Sequence, residues 1–254
     1  VDLNKMYEEK DYQVIHHDIL MDENHHIHTL YRPKKVGEIP VNGKMVTDTL
    51  GGDGIMVIDT LGNVLETWSA WDVWNDPYID EYRYDRFHMN GLCFDEDGNY
   101  LLSNPIEDQI WKIDRQSGEL LWKFGRNGDF EMDTTAYFSF QHSPYITEYG
   151  DLMLFDNGLY NKRSGAKSFK LDEKNMTAET VINAVLPPDK YTSRMGNAYL
   201  LPNGNLLQTS SKTGSIMVTD KQGKVLWESV MYYAPYRAIY VPMETWDKYF
   251  KEIK

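Results

Sequence analysis

The sequence has little cysteine, no long apolar segment and few positive charges relative to its negative charges. Cys93 is the single cysteine, so neither an intrachain disulfide nor a cysteine-based metal site can form. No stretch approaches the 18 apolar residues of a membrane-spanning helix, which predicts that the membrane is not a partner. Lysine and arginine number 26 against 39 acidic residues, giving a formal net charge of −13. A field of this sign repels phosphate backbones and argues against a nucleic-acid partner.

What the chain does contain favours a folded, strand-rich domain. Residues with hydrophobic side chains make up 41% of the sequence and aromatic residues 13%, which excludes a disordered chain. The 18 tyrosines and 7 tryptophans favour strands, because flat rings fit a pleated, half-buried surface. A length of 254 residues is ordinary for one all-β domain.

A hairpin pattern recurs along the chain with a period of roughly fifty residues. Each copy is an apolar strand, a turn and a second apolar strand. The copies lie at 92–102, 145–154, 199–207 and, more weakly, 19–27. Gly98, Gly150 and Gly204 occupy the turns of three copies, where tight hairpins demand a positive φ.

A second hairpin, rich in leucine and tryptophan, follows each copy of the first. Its copies lie at 57–68, 112–122, 218–227 and, in degenerate form, 170–181. Two hairpins per repeat make a four-stranded sheet, which is the unit of a propeller. We therefore predict an all-β fold, a β-propeller of four-stranded blades that spans residues 1–254 as one domain. A β-sandwich is the competing architecture, but it gives no reason for the period.

The predicted blades cover about 12–72, 88–126, 141–187 and 194–232, with a final strand at 236–242. Four blades and a strand do not close a ring comfortably. Either the ends of the chain complete a fifth blade, or N-terminal blades are missing from this chain. The segment 245–254 is expected to form a short helix.

Three histidines stand just before the first strands of successive repeats. They are His17, His88 and His142. The first strand of a propeller blade is innermost, so we expect the three imidazoles to converge at the mouth of the central channel. Such a cluster has two possible chemistries. It can ligate a metal, with Asp18 as a candidate carboxylate ligand, or it can supply a nucleophile and general acids for group transfer.

Three other histidines cluster near the first turn. His25, His26 and His28 are interpreted as a polar turn and an outward-facing strand rather than a metal site.

Several segments, taken in order, resemble the bacterial arylsulfate sulfotransferases. The segments that carry the resemblance are His16-His17-Asp18-Ile19, His88-Met89-Asn90-Gly91, Gln141-His142-Ser143-Pro144, Leu154-Phe155-Asp156-Asn157-Gly158, Leu171-Asp172-Glu173-Lys174-Asn175-Met176 and Tyr236-Arg237-Ala238. The resemblance covers nearly the whole chain. It implies a six-bladed propeller that moves a sulfuryl group from a phenolic sulfate ester to a phenol, with no cofactor and no nucleotide sulfate donor.

The resemblance also implies roles for individual residues. His142 matches the histidine that forms a covalent sulfohistidine, and His17 and His88 match the other channel histidines. Asn90 and Tyr236 match substrate-binding residues of the family. Small phenolic sulfates and phenols are the implied partners, and a second chain is a possible source of missing blades. The implied location is periplasmic or secreted, although this chain begins with Val1 and carries no signal peptide.

The chain departs from the family pattern at two places in the predicted site. Asn104-Pro105 stands where the family has an arginine, so Arg237, Arg194 or Arg163 would have to supply the positive charge. The fourth blade begins with Ser193-Arg194-Met195-Gly196, which offers no histidine. Two other functions therefore stay open: a propeller that binds small molecules without catalysis, and a metal-dependent, lactonase-like hydrolase.

Overall fold

The described part of the chain is all-β, as predicted. The computed structural model describes residues 13–41, 43–74 and 86–250. Within those ranges it contains nineteen strands and one helix, α1 (Met243–Phe250). No helix in these ranges is long and apolar enough to cross a membrane.

The first six strands build one sheet and an inserted hairpin. They are β1 (Gln13–Met21), β2 (Ile27–Arg32), β3 (Lys34–Val41), β4 (Lys44–Gly51), β5 (Gly54–Ile58) and β6 (Val64–Ser69). Sheet 1 has the order β1-β2-β5-β6, and β3 pairs only with β4. The two predicted hairpins of this repeat are present, whereas the β3–β4 hairpin between them was not predicted.

The next thirteen strands form three further sheets. Sheet 2 contains β7 (Gly91–Phe94), β8 (Tyr100–Asn104), β9 (Gln109–Ile113) and β10 (Leu120–Gly125). Sheet 3 contains β11 (Glu131–Met132), β12 (His142–Ile146), β13 (Leu152–Asp156), β14 (Gly165–Asp172) and β15 (Thr177–Val185). Sheet 4 contains β16 (Asn197–Leu200), β17 (Leu206–Ser210), β18 (Ser215–Thr219) and β19 (Val225–Val230). Neighbouring strands pair antiparallel in chain order, except that β11 pairs parallel to β15.

Turn glycines set the hairpins that begin sheets 2, 3 and 4. Gly98, Gly150 and Gly204 have φ of 83°, 79° and 82°. Most side chains avoid this left-handed region, but glycine adopts it freely. The turns therefore reverse the chain where the sequence pattern predicts.

The sheets pack face to face through three apolar cores. Leu30 of sheet 1 meets Leu102 and Trp111 of sheet 2 in the first core. Leu101, on the opposite face of the same strand as Leu102, packs with residues of sheet 3 in the second core. Because both faces of β8 are buried, the strand is apolar at successive positions rather than alternating. The third core lies between sheets 3 and 4.

Neighbouring sheets also approach one another through their first strands. β1 packs beside β7, β7 beside β12, and β12 beside β16. Residues at the starts of these strands therefore lie close together although they are far apart in sequence. Among the described residues no backbone ladder joins sheet 4 to sheet 1.

The segment after sheet 4 is irregular, so the prediction of a strand at 236–242 is wrong. The side chain of Asn197 makes hydrogen bonds to the backbone of this segment that a neighbouring β-strand would otherwise make. Asn197 donates from Nδ2 to the carbonyl oxygen of Ala238 at 2.8 Å, and its Oδ1 accepts from Ala238 N–H at 2.9 Å. The backbone N–H of Gly196 donates to the carbonyl oxygen of Tyr236 at 3.1 Å. These bonds fix the segment at the entrance of sheet 4.

Candidate functional site

The chain enters each sheet through backbone in a left-handed conformation. His17, His88, Phe140 and Met195 have φ of 59°, 48°, 56° and 58°. Non-glycine residues pay roughly 1 kcal/mol or more for this conformation, and such residues concentrate at functional sites. His88, Phe140 and Met195 stand just before the first long strands of sheets 2, 3 and 4, whereas His17 lies inside β1; all four lie where neighbouring sheets meet.

The structure brings the three predicted imidazoles into one cluster that includes the ring of Tyr236. The ring centroids of His17 and His88 are 5.8 Å apart. The ring of Tyr236 links His17 to His142: its centroid lies 6.1 Å from that of His17 and 6.5 Å from that of His142. Three sheets and the C-terminal segment thus contribute to one cluster.

His142 is held in one tautomer by its neighbours. Its Nδ1 lies 2.8 Å from Oδ1 of Asn157 and 3.1 Å from the carbonyl oxygen of Phe140. Both oxygens only accept, so Nδ1 carries the proton. Nε2 accepts from the backbone N–H of Met195 at 3.2 Å. Nε2 therefore carries no proton, and its lone pair accepts this hydrogen bond.

The orientation of the Asn157 amide is itself fixed. Its Nδ2 donates to the carbonyl oxygens of Thr192 at 2.9 Å and Met195 at 2.8 Å. The amide oxygen must then point toward His142. Asn157 is fully buried, so this arrangement does not compete with solvent.

Two of the imidazoles are neutral at neutral pH. Burial lowers the pKa of His142 to about 4, despite the opposing hydrogen bonds to Asn157 and Phe140. The pKa of His17 falls to about 3, first because of burial and then because of positive charge on His16, His88, His142 or Arg237. A neutral imidazole with an unprotonated ring nitrogen can act as a nucleophile or a base.

Arg237 lies in the cluster, and a carboxylate compensates its charge. Its Nη1 and Nη2 pair with Asp18, the second at 3.2 Å. Nη2 also donates to the carbonyl oxygen of Asn90 at 3.3 Å. Asp18 accepts in addition from the backbone N–H of Leu92 at 2.9 Å. The guanidinium thereby joins the C-terminal segment to sheets 1 and 2.

The other two predicted substrate-binding residues, Asn90 and Arg194, differ from Arg237 and Tyr236 in their surroundings. Asn90 is buried and donates from Nδ2 to the carbonyl oxygen of Gln141 at 2.8 Å, while its Oδ1 has no hydrogen-bond partner among the described residues. Its amide nitrogen thus bridges sheets 2 and 3. Arg194 is exposed, although the next residue, Met195, contacts His142. Roles in substrate binding remain predictions for both.

The interpretation of His28 as outward-facing is wrong. Its side chain is fully buried, with Nδ1 2.8 Å from the hydroxyl of Tyr100 and Nε2 3.3 Å from Asp22. His28 joins sheet 1 to sheet 2 because the inner strand β2 is covered by sheet 2. Among the described residues, no three histidine, cysteine or acidic side chains are grouped so as to hold a metal ion.

Cys93 is buried in the core between sheets 2 and 3, and burial raises the pKa of its thiol. A thiol in this state is unreactive.

Sequence reasoning missed two residues that orient the imidazoles. Asp53 precedes β5 and contacts His16, which in turn contacts His17. Asn157 follows β13 and contacts His142. Both are polar residues next to an apolar strand, and Asn157 also lies in the segment 154–158 that resembles the family.

The sequence profile of the arylsulfotransferase (ASST) family matches residues 3–231. The chain therefore belongs to the arylsulfotransferase family. No curated protein sequence matches it significantly.

Solved structures resemble the chain only distantly. A Bacteroides caccae protein of unknown function is 14% identical, with 86% of this chain and 82% of that chain covered and a TM-score of 0.47. The catalytically inactive H270A virginiamycin B lyase from Staphylococcus aureus with quinupristin is 10% identical, with coverages of 86% and 72% and a TM-score of 0.47. A putative 6-phosphogluconolactonase from Bacteroides fragilis is 13% identical, with coverages of 86% and 85% and a TM-score of 0.40. Likenesses this distant support no functional assignment.

Proposed function

We propose that the chain transfers a sulfuryl group from an aryl sulfate to a phenol through a covalent intermediate on His142. The family supports arylsulfate sulfotransferase activity in general. The observation that carries the residue assignment is the fixed tautomer of His142, whose Nε2 has no proton and whose ring centroid lies 6.5 Å from that of Tyr236. The four sheets are then an arc of a six-bladed β-propeller, and the protein works in the periplasm or outside the cell.

In the first half-reaction the Nε2 lone pair of His142 attacks the sulfur of the donor. The N–S bond forms, the bond from sulfur to the aryl oxygen breaks, and its electron pair leaves on that oxygen. His17 protonates the oxygen, so a phenol departs. The imidazole of His142 becomes more positive as it is sulfonated, and the oxygens of Asn157 and Phe140 stabilise that charge at Nδ1–H.

The second half-reaction reverses these steps with a new phenol. His17 takes the proton of the phenol, whose oxygen attacks sulfur. The N–S bond breaks, and its electron pair returns to Nε2 of His142. The backbone N–H of Met195, released from Nε2 while sulfur occupies it, is placed to donate to a sulfuryl oxygen.

The test uses 4-nitrophenyl sulfate with and without phenol. Without phenol, we expect a burst of nitrophenolate equal to the enzyme concentration, and steady release only when phenol is present. His142→Asn should abolish the burst, whereas His25→Asn, which alters an exposed histidine, should retain it. His88→Ala should slow the burst by roughly 10²–10⁴-fold. A burst retained by folded His142→Asn protein would rule out the assignment.

A binding protein without the reaction is the second candidate. The pairing of Arg237 with Asp18 favours it, because the guanidinium of the cluster is already neutralised. Binding of 4-nitrophenyl sulfate without any release of nitrophenolate would support this candidate. Steady release without phenol would instead indicate a hydrolase.

A further inference from the structure

A buried carboxylate and two imidazoles form a continuous chain behind the candidate site. Oδ1 of Asp53 lies 3.1 Å from Nε2 of His16, and Nδ1 of His16 lies 2.6 Å from Nδ1 of His17. We propose that Asp53, His16 and His17 form a proton relay in which His16 stores the proton that His17 gives to the leaving phenoxide and takes back from the acceptor. The inference rests on the proposed function, and it assigns positioning roles to Asp53 and His16.

The local backbone explains how two consecutive imidazoles meet. Successive side chains of a regular strand point to opposite faces. Here β1 is irregular, since His16 pairs with Leu30 and the next pairing is Ile19 with Thr29. His17 lies within this bulge with φ of 59°. The bulge turns the ring of His17 toward His16, and the centroids of the two rings are 4.8 Å apart.

Asp53 is suited to hold a positive charge on His16. Its side chain is fully buried and that of His16 is 10% exposed. The other carboxylate oxygen, Oδ2, accepts from the backbone N–H of Met89 at 3.2 Å. Among the described residues, neither Oδ1 of Asp53 nor Nε2 of His16 has a hydrogen-bond partner, so each is left with the other as its ion-pair partner. A buried carboxylate is costly unless a cation compensates it.

The relay has two states that differ by one proton. In the loaded state His16 is an imidazolium that bonds Asp53 through Nε2–H and His17 through Nδ1–H, and His17 carries a proton on Nε2. When His17 gives this proton to the phenoxide, the proton between the two Nδ1 atoms moves to His17. His16 is then neutral, and Nε2 of His17 is a base ready for the acceptor phenol. His17 stays neutral in both states.

This arrangement removes a difficulty for catalysis by His17. Burial and the neighbouring His16, His88, His142 and Arg237 all disfavour a positive charge on its ring. The carboxylate of the next residue, Asp18, is engaged by Arg237. His17 in such surroundings is neutral, and a neutral imidazole is a poor proton donor by itself. It can give up its proton when His16, beside Asp53, supplies another proton to its second nitrogen.

The kinetic test compares two donors that differ in leaving group. Phenoxide needs a proton as it leaves, whereas the less basic nitrophenoxide needs little help. Asp53→Asn removes the charge that stabilises the loaded state, and His16→Gln removes the carrier. We expect each to slow the first half-reaction of phenyl sulfate by roughly 10²–10⁴-fold and that of 4-nitrophenyl sulfate by about tenfold or less. Glu23→Gln, at an exposed residue of the β1–β2 turn, should change neither rate. Equal slowing of both donors in folded protein would overturn the relay.

A spectroscopic test does not depend on activity. In protein labelled with ¹⁵N-histidine, the proton shared between two Nδ1 atoms should give a far-downfield resonance in the wild type and in Glu23→Gln. The resonance should disappear in His16→Gln and shift in Asp53→Asn. A wild-type protein without it contradicts the relay, even if it transfers sulfuryl groups. A wild-type protein that shows the resonance but releases no nitrophenolate contradicts the proposed function, while the hydrogen bond between His16 and His17 stands.

Discussion

At the scale of single residues, the site depends on how the imidazoles are oriented. Asn157 holds Nδ1–H of His142, and its own amide is fixed by the carbonyl oxygens of Thr192 and Met195. A histidine is an effective nucleophile only if the correct nitrogen is unprotonated. Asn157 therefore orients His142, the proposed nucleophile, although it does not lie on the side of Nε2.

Two substitutions of Asn157 should separate orientation from charge. Asn157→Leu removes the acceptor, and we expect the nitrophenolate burst to slow by roughly 10²–10⁴-fold. Asn157→Asp keeps an acceptor and adds a negative charge, which raises the pKa of His142 from about 4. The acidic limb of the burst rate should then move to higher pH. Burst rates between pH 4 and 8 measure both effects, and unchanged rates and pH profiles in both variants would contradict the positioning role.

The sequence predicted which histidines converge but not what orients them. His17, His88 and His142 share a place in the repeat, and a repeat is visible in one dimension. Asp53 and Asn157 meet their histidines only because sheets fold those segments together. His28 was misjudged for the same reason, since the neighbour that buries it, Tyr100, belongs to another sheet.

At the scale of strands, a glycine sets the distance between two sheets at the site. A Cβ atom on Gly91 of β7 would overlap Cδ of Pro144 in β12. These strands carry or follow His88 and His142, so their spacing fixes the distance between the two imidazoles.

Gly91→Ala should therefore impair both stability and activity. We expect a loss of roughly 1–3 kcal/mol in the free energy of unfolding, together with slower turnover per folded molecule. Gly98→Ala is the matched control, because a Cβ there meets nothing within 4 Å and only the φ of +83° is unfavourable. Gly98→Ala should lower the free energy of unfolding by about 1 kcal/mol and leave turnover unchanged. Urea unfolding and nitrophenolate release measure the two quantities.

A second link between strands is a buried lysine that joins sheets 2 and 3. Nζ of Lys112 lies 2.6 Å from Asp95, 2.7 Å from Asp97 and 2.6 Å from Glu173. Burial by itself lowers the pKa of Lys112, but the three carboxylates outweigh it and raise the pKa above 10.5. The ion pairs therefore stabilise the fold below pH 10.5, and their contribution is lost as the pH rises through the higher folded value.

Lys112→Met should lower the midpoint of urea unfolding at pH 7. The loss of 3–5 kcal/mol typical of a broken buried pair is an upper bound, because Asp97 and Glu173 are 48% and 45% exposed. Lys174→Met, at an exposed residue of the adjacent turn, should change the free energy of unfolding by less than about 0.5 kcal/mol. Equal midpoints for the two variants would show that the ion pairs of Lys112 with the three carboxylates do not stabilise the fold.

The positions of strands and hairpins were largely predictable where the residues of the strand and its turn determine them. The turn glycines and apolar runs located eight hairpins, two in each of the four sheets. The β3–β4 hairpin lies outside the repeat, and the segment at 236–242 looks like a strand but is held by the side chain of Asn197. A bond to a side chain in another sheet has no signature in the local pattern.

At the scale of the whole molecule, the charge of −13 opposes an anionic donor. Raising the ionic strength from 10 to 150 mM shortens the screening length from about 30 Å to about 8 Å. We expect kcat/KM for 4-nitrophenyl sulfate to rise about twofold or more over this range. The kcat/KM for neutral phenol, measured at saturating donor, should stay constant and serves as the internal control. A decrease for the donor would mean that local positive charge dominates its approach.

The contact between Arg237 and Asp18 joins residues 219 positions apart in the chain. Proteins are synthesised from the N-terminus, so Asp18 is translated well before Arg237. A nascent chain that ends before Tyr236 has its three imidazoles but lacks the ring between His17 and His142 and the cation on Asp18. The proposed transfer therefore needs translation to continue past Arg237.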